Sequence, residues 1–349
     1  MKKTAIVICP GRGTYNAGEL GYLARHFPNP DLLAEFDAQR TAAGQDTLTA
    51  LDTADRFSPA KHTRGDNASG LIFAASYGDY LSIDRDRVEI VAVTGNSMGW
   101  YSALACGGAL SPQDGFRVAN TMGTLMQQAL IGGQSIYPWM DEDWTPDIAR
   151  KRDLLDLTAR IGAQPDRQLH LSIDLGGMLV LAGDSAGLQA FEQSVEPVQQ
   201  RFPMRLPNHA AFHTPMQEPV AARGREALGP DLFGQPETPL VDGNGRIWWP
   251  GATDPQALYD YTLGAQVTQP YDFTRAVIVA AREFAPDLFI ILGPGTTLGG
   301  AVAQSLIVAD WRQMGGRGDF RREQDESGLL AAMGMADQRG TIAKAERRR

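Results

Sequence analysis

The sequence predicts an α/β fold, a large domain on a parallel sheet with a small α+β subdomain inserted into it. Three observations lead there. The apolar, largely β-branched runs 5–9, 88–93 and 288–292 are too short for helices, and the first and last end directly in Pro10-Gly11 and Gly293-Pro294-Gly295, as buried parallel strands do. Residues 99–110 and 114–130 carry small and apolar residues at helical spacing directly behind the second run. Between them and the last run lies a stretch of about 70 residues with its own alternation: helix 147–161, strand 168–173, strand 178–182 and helix 185–200. Two strands and two helices in so short a span form an inserted α+β unit.

Each element follows from local composition. Met1-Lys2-Lys3 ahead of residues 5–9 imitates a secretion signal, but five apolar residues are too few and no small-residue cleavage site follows. A strand ending in a glycine loop fits better. Residues 131–146 hold Gly132-Gly133, Pro138 and Pro146 and read as a loop leading into the insert. The domain boundaries are thus 1–130 and 206–312 for the core and 131–205 for the insert. Residues 313–349, rich in glycine and charge and ending in Arg347-Arg348-Arg349, read as a polar tail, partly disordered, with at most one short helix near 329–335. There is no internal repeat.

Length and composition bound the function. A chain of 349 residues suggests two folding units at roughly 150 residues each, enough to bury about three quarters of its unfolded surface. With 32 Lys+Arg against 41 Asp+Glu the formal charge is −9, the wrong balance for a dedicated nucleic-acid binder. Cys9 and Cys106 both lie in apolar stretches and read as reduced core thiols, which excludes a disulfide scaffold or a cysteine zinc site. No stretch reaches the 18 or more apolar residues that span a bilayer. A cytoplasmic enzyme without membrane or nucleic-acid partners is expected.

Gly95-Asn96-Ser97-Met98-Gly99 follows the strand at 88–93 and precedes a helix, the strand–turn–helix context of a G-x-S-x-G nucleophile elbow. The glycines are needed because a Cβ at either flank would meet the adjacent strand or helix. The turn lifts the Ser97 hydroxyl out of the sheet and leaves the Met98 N–H at a helix N-terminus, free to stabilise an oxyanion. A serine nucleophile needs a base. His26, His62 and His170 read as surface or packing histidines, whereas His209 and His213 share the segment 206–216. Spacing does not choose between those two.

The block Gly95-Asn96-Ser97-Met98-Gly99-Trp100-Tyr101-Ser102-Ala103-Leu104 resembles the G-H-S-x-G-E-Y-S-A-L block of the malonyl-CoA:acyl-carrier-protein transacylases. Pro10-Gly11-Arg12-Gly13 resembles that family's P-G-Q-G loop. Gly107-Gly108-Ala109-Leu110-Ser111 with Asp114, Phe212-His213-Thr214, and Gly293-Pro294-Gly295 with Gly299-Gly300 resemble its other motifs in order. The resemblance spans about residues 4–308. It implies an α/β-hydrolase-like core with a ferredoxin-like insert, and a ping-pong acyltransferase of fatty-acid or polyketide biosynthesis. Ser97 would take an acyl group from coenzyme A as an ester, and the phosphopantetheine thiol of an acyl carrier protein would remove it. No cofactor is implied beyond these substrates. His213 becomes the base, the Met98 and Arg12 N–H groups the oxyanion hole, and Gly11, Asn96, Trp100, Met122 and Phe212 the acyl and coenzyme A pocket. A carbonyl near Glu283 or Phe284 would steady the histidine.

The departures concern selectivity. Met122 stands where the family has its malonyl-binding arginine, and a thioether cannot pair bidentately with a carboxylate. An uncharged acyl group is favoured on this point. Arg12 replaces the glutamine of the P-G-Q-G loop; it either enters the site from the opposite side, for a carboxylate or a coenzyme A phosphate, or points to solvent. Asn96 replaces a histidine, Trp100 an acidic residue, and 174–178 a more polar N-S-P-G-Q. The same Ser97–His213 pair would also serve a serine hydrolase or thioesterase, and the lost arginine keeps open a weakly catalytic carrier-protein docking subunit. Arg201, Arg205, Arg223 and Arg225 are the basic residues expected to receive an acidic carrier protein.

Overall fold

Residues 5–9 are completely buried at the centre of the larger sheet, which is why the first strand contains no polar side chain past Thr4. The computed structural model describes residues 2–344. In chain order its strands are β1 (Lys3–Cys9), β2 (Val88–Gly95), β3 (Gly133–Pro138), β4 (Leu169–Leu175), β5 (Met178–Gly183), β6 (Met204–Arg205), β7 (Leu240–Val241), β8 (Ile247–Trp248), β9 (Tyr271–Asp272), β10 (Leu288–Ile291) and β11 (Leu330–Ala332). The core sheet has the order β11-β10-β1-β2-β7-β8, parallel except for β8. The C-terminal ends of β1, β2 and β10 carry the loops at Arg12, Ser97 and Gly293, at the edge where open α/β sheets build their sites.

The insert runs strand–helix–strand–strand–helix–strand, with helices Ile148–Gly162 and Ser185–Ser194. Its strands lie in the order β6-β3-β5-β4, all antiparallel, and β9 from the core adds alongside β4 in parallel. That pairing of β4 with β9 ties the two sheets together across the cleft that holds the site.

Three local expectations need correction. Residues 131–146 are not simply a loop, because Gly133–Pro138 forms β3, bonded on both sides. The flanking glycines and proline hid a strand whose neighbours come from distant sequence. The helix expected over 185–200 stops at Ser194, since Pro197 cannot continue it. The expectation of a polar tail with one helix near 329–335 also fails over the described residues 313–344. Helix Arg317–Ser327 leads into β11, which pairs with β10, and helix Ala336–Ile342 follows. The apolar run Leu329 to Met333 is buried as a sheet edge, so the glycines on either side are turn residues and not marks of disorder. Arg347-Arg348-Arg349 lie outside the described residues.

Tail and core are also joined electrostatically. Arg339 pairs with the fully buried Asp79. The Asp79 carboxylate also accepts from Tyr22 Oη and from the Gly293 N–H, both at 2.7 Å. Among the described residues no helix is long and apolar enough to cross a membrane.

Candidate active site

The elbow forms as its glycines require. Ser97 sits at φ 55°, in the left-handed region that a side chain rarely occupies. A Cβ on Gly95 would lie 2.3 Å from the Gly99 backbone, and one on Gly99 would lie 2.2 Å from the Cys9 carbonyl oxygen. The helix Gly99–Cys106 can therefore approach β1 and β2 only with glycine at both positions. The turn is closed by Asn96 N–H donating to Cys9 O (2.9 Å) and Trp100 N–H donating to Ser97 O (3.0 Å).

Of the two open histidines, His213 meets the serine. Its Nε2 lies 2.7 Å from Ser97 Oγ, and its Nδ1 lies 2.7 Å from the carbonyl oxygen of Gln266. The accepting carbonyl is thus that of Gln266, correcting the expectation of Glu283 or Phe284, which belong to the helix Phe273–Phe284. The reason is local. Residues 261–265 form a π-helical turn, and the short helix Gln266–Thr268 stops before Pro270. The residue four places after Gln266 is that proline, which has no N–H to give. The Gln266 carbonyl is left over from the helix and takes the imidazole. The Gln266 side chain fixes the same corner, since Nε2 donates to Ser97 O at 3.0 Å and Oε1 accepts from Tyr101 Oη at 3.1 Å.

Burial lowers the His213 pKa to about 4, with the Gln266 carbonyl acting in the opposite direction. Burial first, and then Arg12, lowers His209 to about 3. Both rings are neutral at pH 7. A base needs the neutral ring, so acylation of Ser97 is expected to hold its rate from pH 8 to near pH 5 and to halve only near pH 4, measurable as a pH profile of kcat/KM. Stability moves differently. Between about pH 6.5 and 4 the unfolded chain binds protons at these histidines that the folded chain refuses, so stability must fall as pH is lowered through that window. A lower urea midpoint at pH 5 than at pH 7 is the expected outcome.

Ser97 opens onto a cavity of 580 Å³ between the core and the insert. Gly11, Asn96 and Phe212 line it, and Leu175 and Met178 from the 174–178 turn add apolar wall. Asp174 itself is absorbed by Lys151 and by Thr274 Oγ1. Two expected pocket residues are not there. Trp100 is buried behind the elbow with Nε1 on Thr262 Oγ1 (3.0 Å) and its ring edge-on to Tyr261. Met122 is fully buried and turned to the helix Glu218–Ala227, its Sδ 2.7 Å from where a Cβ on Gly224 would be. Both lie on helix faces that point into the core, which motif matching does not register.

Behind Ser97 is only a recess of 20 Å³, lined by residues that include Met98, Gly123, Met126 and Val267, room for about one water. Close packing of two helices shuts it, for a Cβ on Gly123 would lie 2.4 Å from Ser69 Oγ. Arg12 reaches both spaces. Its Nη2 donates to Thr63 O (2.9 Å) and Asn208 O (3.0 Å), and its guanidinium lies over the Phe212 ring at 5.4 Å. Burial lowers its pKa to about 10 against an opposing pull from Asp66, so it stays cationic at neutral pH.

Sequence reasoning did not single out Gln134, which accepts from His209 and also lines the cavity. The other histidines do structural work or lie elsewhere: His62 bonds Leu51 O and Ser58, and His26 meets the Tyr22 ring edge-on. Of the four arginines suggested for docking, Arg201 lines the cavity, Arg205 pairs with Glu192, and Arg223 and Arg225 bond Gln128 and the Leu263 carbonyl. Among the described residues no cluster of His, Cys, Asp and Glu could hold a metal ion.

Comparison with known proteins bears on the chain as a whole. The malonyl CoA-acyl carrier protein transacylase of Salmonella typhimurium is 24% identical over 300 residues, covering 84% of this chain and 90% of that one. The transacylase of Xanthomonas oryzae superimposes with a TM-score of 0.74 over 99% of this chain and 100% of that one, at 19% identity. The chain is similar to the malonyl-CoA:acyl carrier protein transacylases in sequence and in fold. A malonyl transacylase solved in complex with a type II polyketide acyl carrier protein matches with a TM-score of 0.73, at 18% identity, over 97% of this chain and 98% of that transacylase. No family model matches the chain.

Proposed function

We propose that this protein is an acyl-CoA:acyl-carrier-protein acyltransferase working through an ester on Ser97. The observation that carries the reading is the line Ser97 Oγ, His213 and Gln266 O at the floor of an apolar cleft. His213 Nδ1–H donates to the Gln266 carbonyl, which leaves the Nε2 lone pair facing the serine. As Oγ attacks the thioester carbonyl, Nε2 takes its proton. The oxyanion is received by the backbone N–H groups of Met98 and Arg12, neither of which donates to an acceptor among the described residues. Coenzyme A leaves as the thiol with the proton from His213. A phosphopantetheine thiol then attacks the ester by the same steps in reverse, with the carrier protein as the supporting partner.

The acyl group is set by what surrounds Ser97. With Met122 turned away, Arg12 is the cation that reaches both the cavity and the recess, so a carboxylated acyl group has to pair there. Arg12→Ala is expected to lower kcat/KM for malonyl-coenzyme A by roughly tenfold to a hundredfold, the range for one lost charged hydrogen-bond pair, while changing acetyl-coenzyme A far less. Equal losses for both donors would remove Arg12 from carboxylate recognition.

The reading is tested by intact-protein mass spectrometry after brief mixing with acetyl-, malonyl- and longer acyl-coenzyme A. A gain of one acyl mass, discharged by a phosphopantetheine thiol, is the expected result. Steady release of free acid with no transfer to the thiol would make the protein a hydrolase instead.

A further inference from the structure

The His209 side chain is held in one tautomer by a chain of hydrogen bonds that ends beside the catalytic histidine. Ser172 Oγ donates its one hydrogen to the Phe212 carbonyl at 2.7 Å. The Gln134 atom 2.7 Å from that hydroxyl must therefore be the donating amide nitrogen. This turns Gln134 Oε1 toward His209 Nδ1, also at 2.7 Å. An acceptor there requires Nδ1 to carry the proton, so Nε2 carries the lone pair. No hydrogen bond is made to Nε2 by any described residue, and His209 lines the same cavity as Ser97. Burial and the neighbouring Arg12 keep the ring neutral. The lining of that cavity includes the apolar Ile136, Val180 and Leu206, and an unbonded acceptor facing it calls for a donor from the ligand.

An acyl chain and a thioester carbonyl have no N–H or O–H to offer. The arm shared by coenzyme A and the carrier protein does, for it carries a secondary amide two carbons from the sulfur. Resting on the acyl-transfer reading above, we propose that His209 is a positioning residue for that arm, its Nε2 accepting the N–H of the amide nearest the thioester sulfur. Gln134 and Ser172 set the tautomer that makes this acceptance possible.

The probes are two acetyl thioesters that differ in one group: S-acetyl-N-acetylcysteamine, with the amide N–H, and S-acetyl-2-mercaptoethyl acetate, with an ester oxygen in its place. Rates of Ser97 acylation are normalised to each thioester's hydroxide hydrolysis. The unmodified protein is expected to favour the amide by about tenfold in kcat/KM, in line with one buried hydrogen bond. In His209→Phe the preference should fall to near one. In His209→Gln, where Oε1 comes close to the position of Nε2, most of it should return. A preference near one in the unmodified protein overturns the proposal without any variant, and so does a tenfold preference that survives in His209→Phe. If neither thioester acylates Ser97 while other acyl donors do, the proposal alone falls; if no acyl donor of any kind does, the acyl-transfer reading falls with it.

Discussion

Ser97→Ala is expected to abolish the acyl-enzyme altogether, and His213→Ala to slow its formation by about four orders of magnitude or more. The scale follows from how such groups act. Nucleophile and base work as a unit, so losing either costs nearly the whole catalytic advantage, and what remains comes from the oxyanion site and binding. The geometry gives a way to separate the roles. Ser97→Ala removes the bond-forming atom but leaves His213 on the Gln266 carbonyl, so acyl-coenzyme A should still bind. His213→Ala leaves the serine, and raising the pH should recover part of its acylation rate as hydroxide takes over the proton. Stopped-flow acylation with each variant checks both. An acylation rate within tenfold of the unmodified protein in His213→Ala would show that another group removes the proton.

Arg339→Ala is expected to cost about 3 to 5 kcal/mol of stability, the usual penalty for stranding one partner of a buried ion pair. Asp79 is fully buried and its pKa is raised, chiefly by that burial, with Arg339 the largest opposing influence. Removing the guanidinium leaves the carboxylate with only Tyr22 Oη and the Gly293 N–H. Because Gly293 begins the loop after β10, the loss should spread from the terminal helix to the rim of the site. Urea unfolding measures the effect. The double substitution Asp79→Asn with Arg339→Met should recover more than half of it, since an amide can still meet both remaining donors' surroundings without a net charge. A loss below 1 kcal/mol in Arg339→Ala would show that Asp79 is served by other groups.

The elbow was legible in the sequence because its constraint is local. Two glycines at fixed spacing between a strand and a helix are demanded by backbone atoms alone, Gly95 against Gly99 and Gly99 against Cys9 of the neighbouring strand, and no side-chain identity elsewhere changes that. His213 came only from the similarity of its segment to a known motif, since His209 lies four residues away in the same stretch. Gln266 was not legible. Its role arises from a π-helical turn and from the N–H missing at Pro270, and a glutamine acting through its backbone leaves no side-chain signature. The tail misled for the opposite reason. The helix Arg317–Ser327 has no buried residue, so its charge outweighed the five apolar residues after it that complete the sheet. Met122 and Trp100 were placed in the pocket by position in a motif, but which face of a helix looks inward depends on partners such as Gly224 and Thr262.

The carbonyl that holds His213 has a kinetic meaning for the ester proposed on Ser97. A carboxylate in that place would steady the charged ring and let it draw protons from poor acids. A peptide oxygen carries no net charge, and the ring it holds is a weak base with a pKa of about 4. Thiols ionise near pH ~8.5, whereas water does so near ~15.7. Ser97 Oγ gives up its proton to this base because it is held 2.7 Å from Nε2, whereas among freely arriving acceptors the weak base favours the more acidic thiol over water. A loaded serine can wait among solvent molecules that it is slow to activate, and its lifetime is set by the arrival of a thiol.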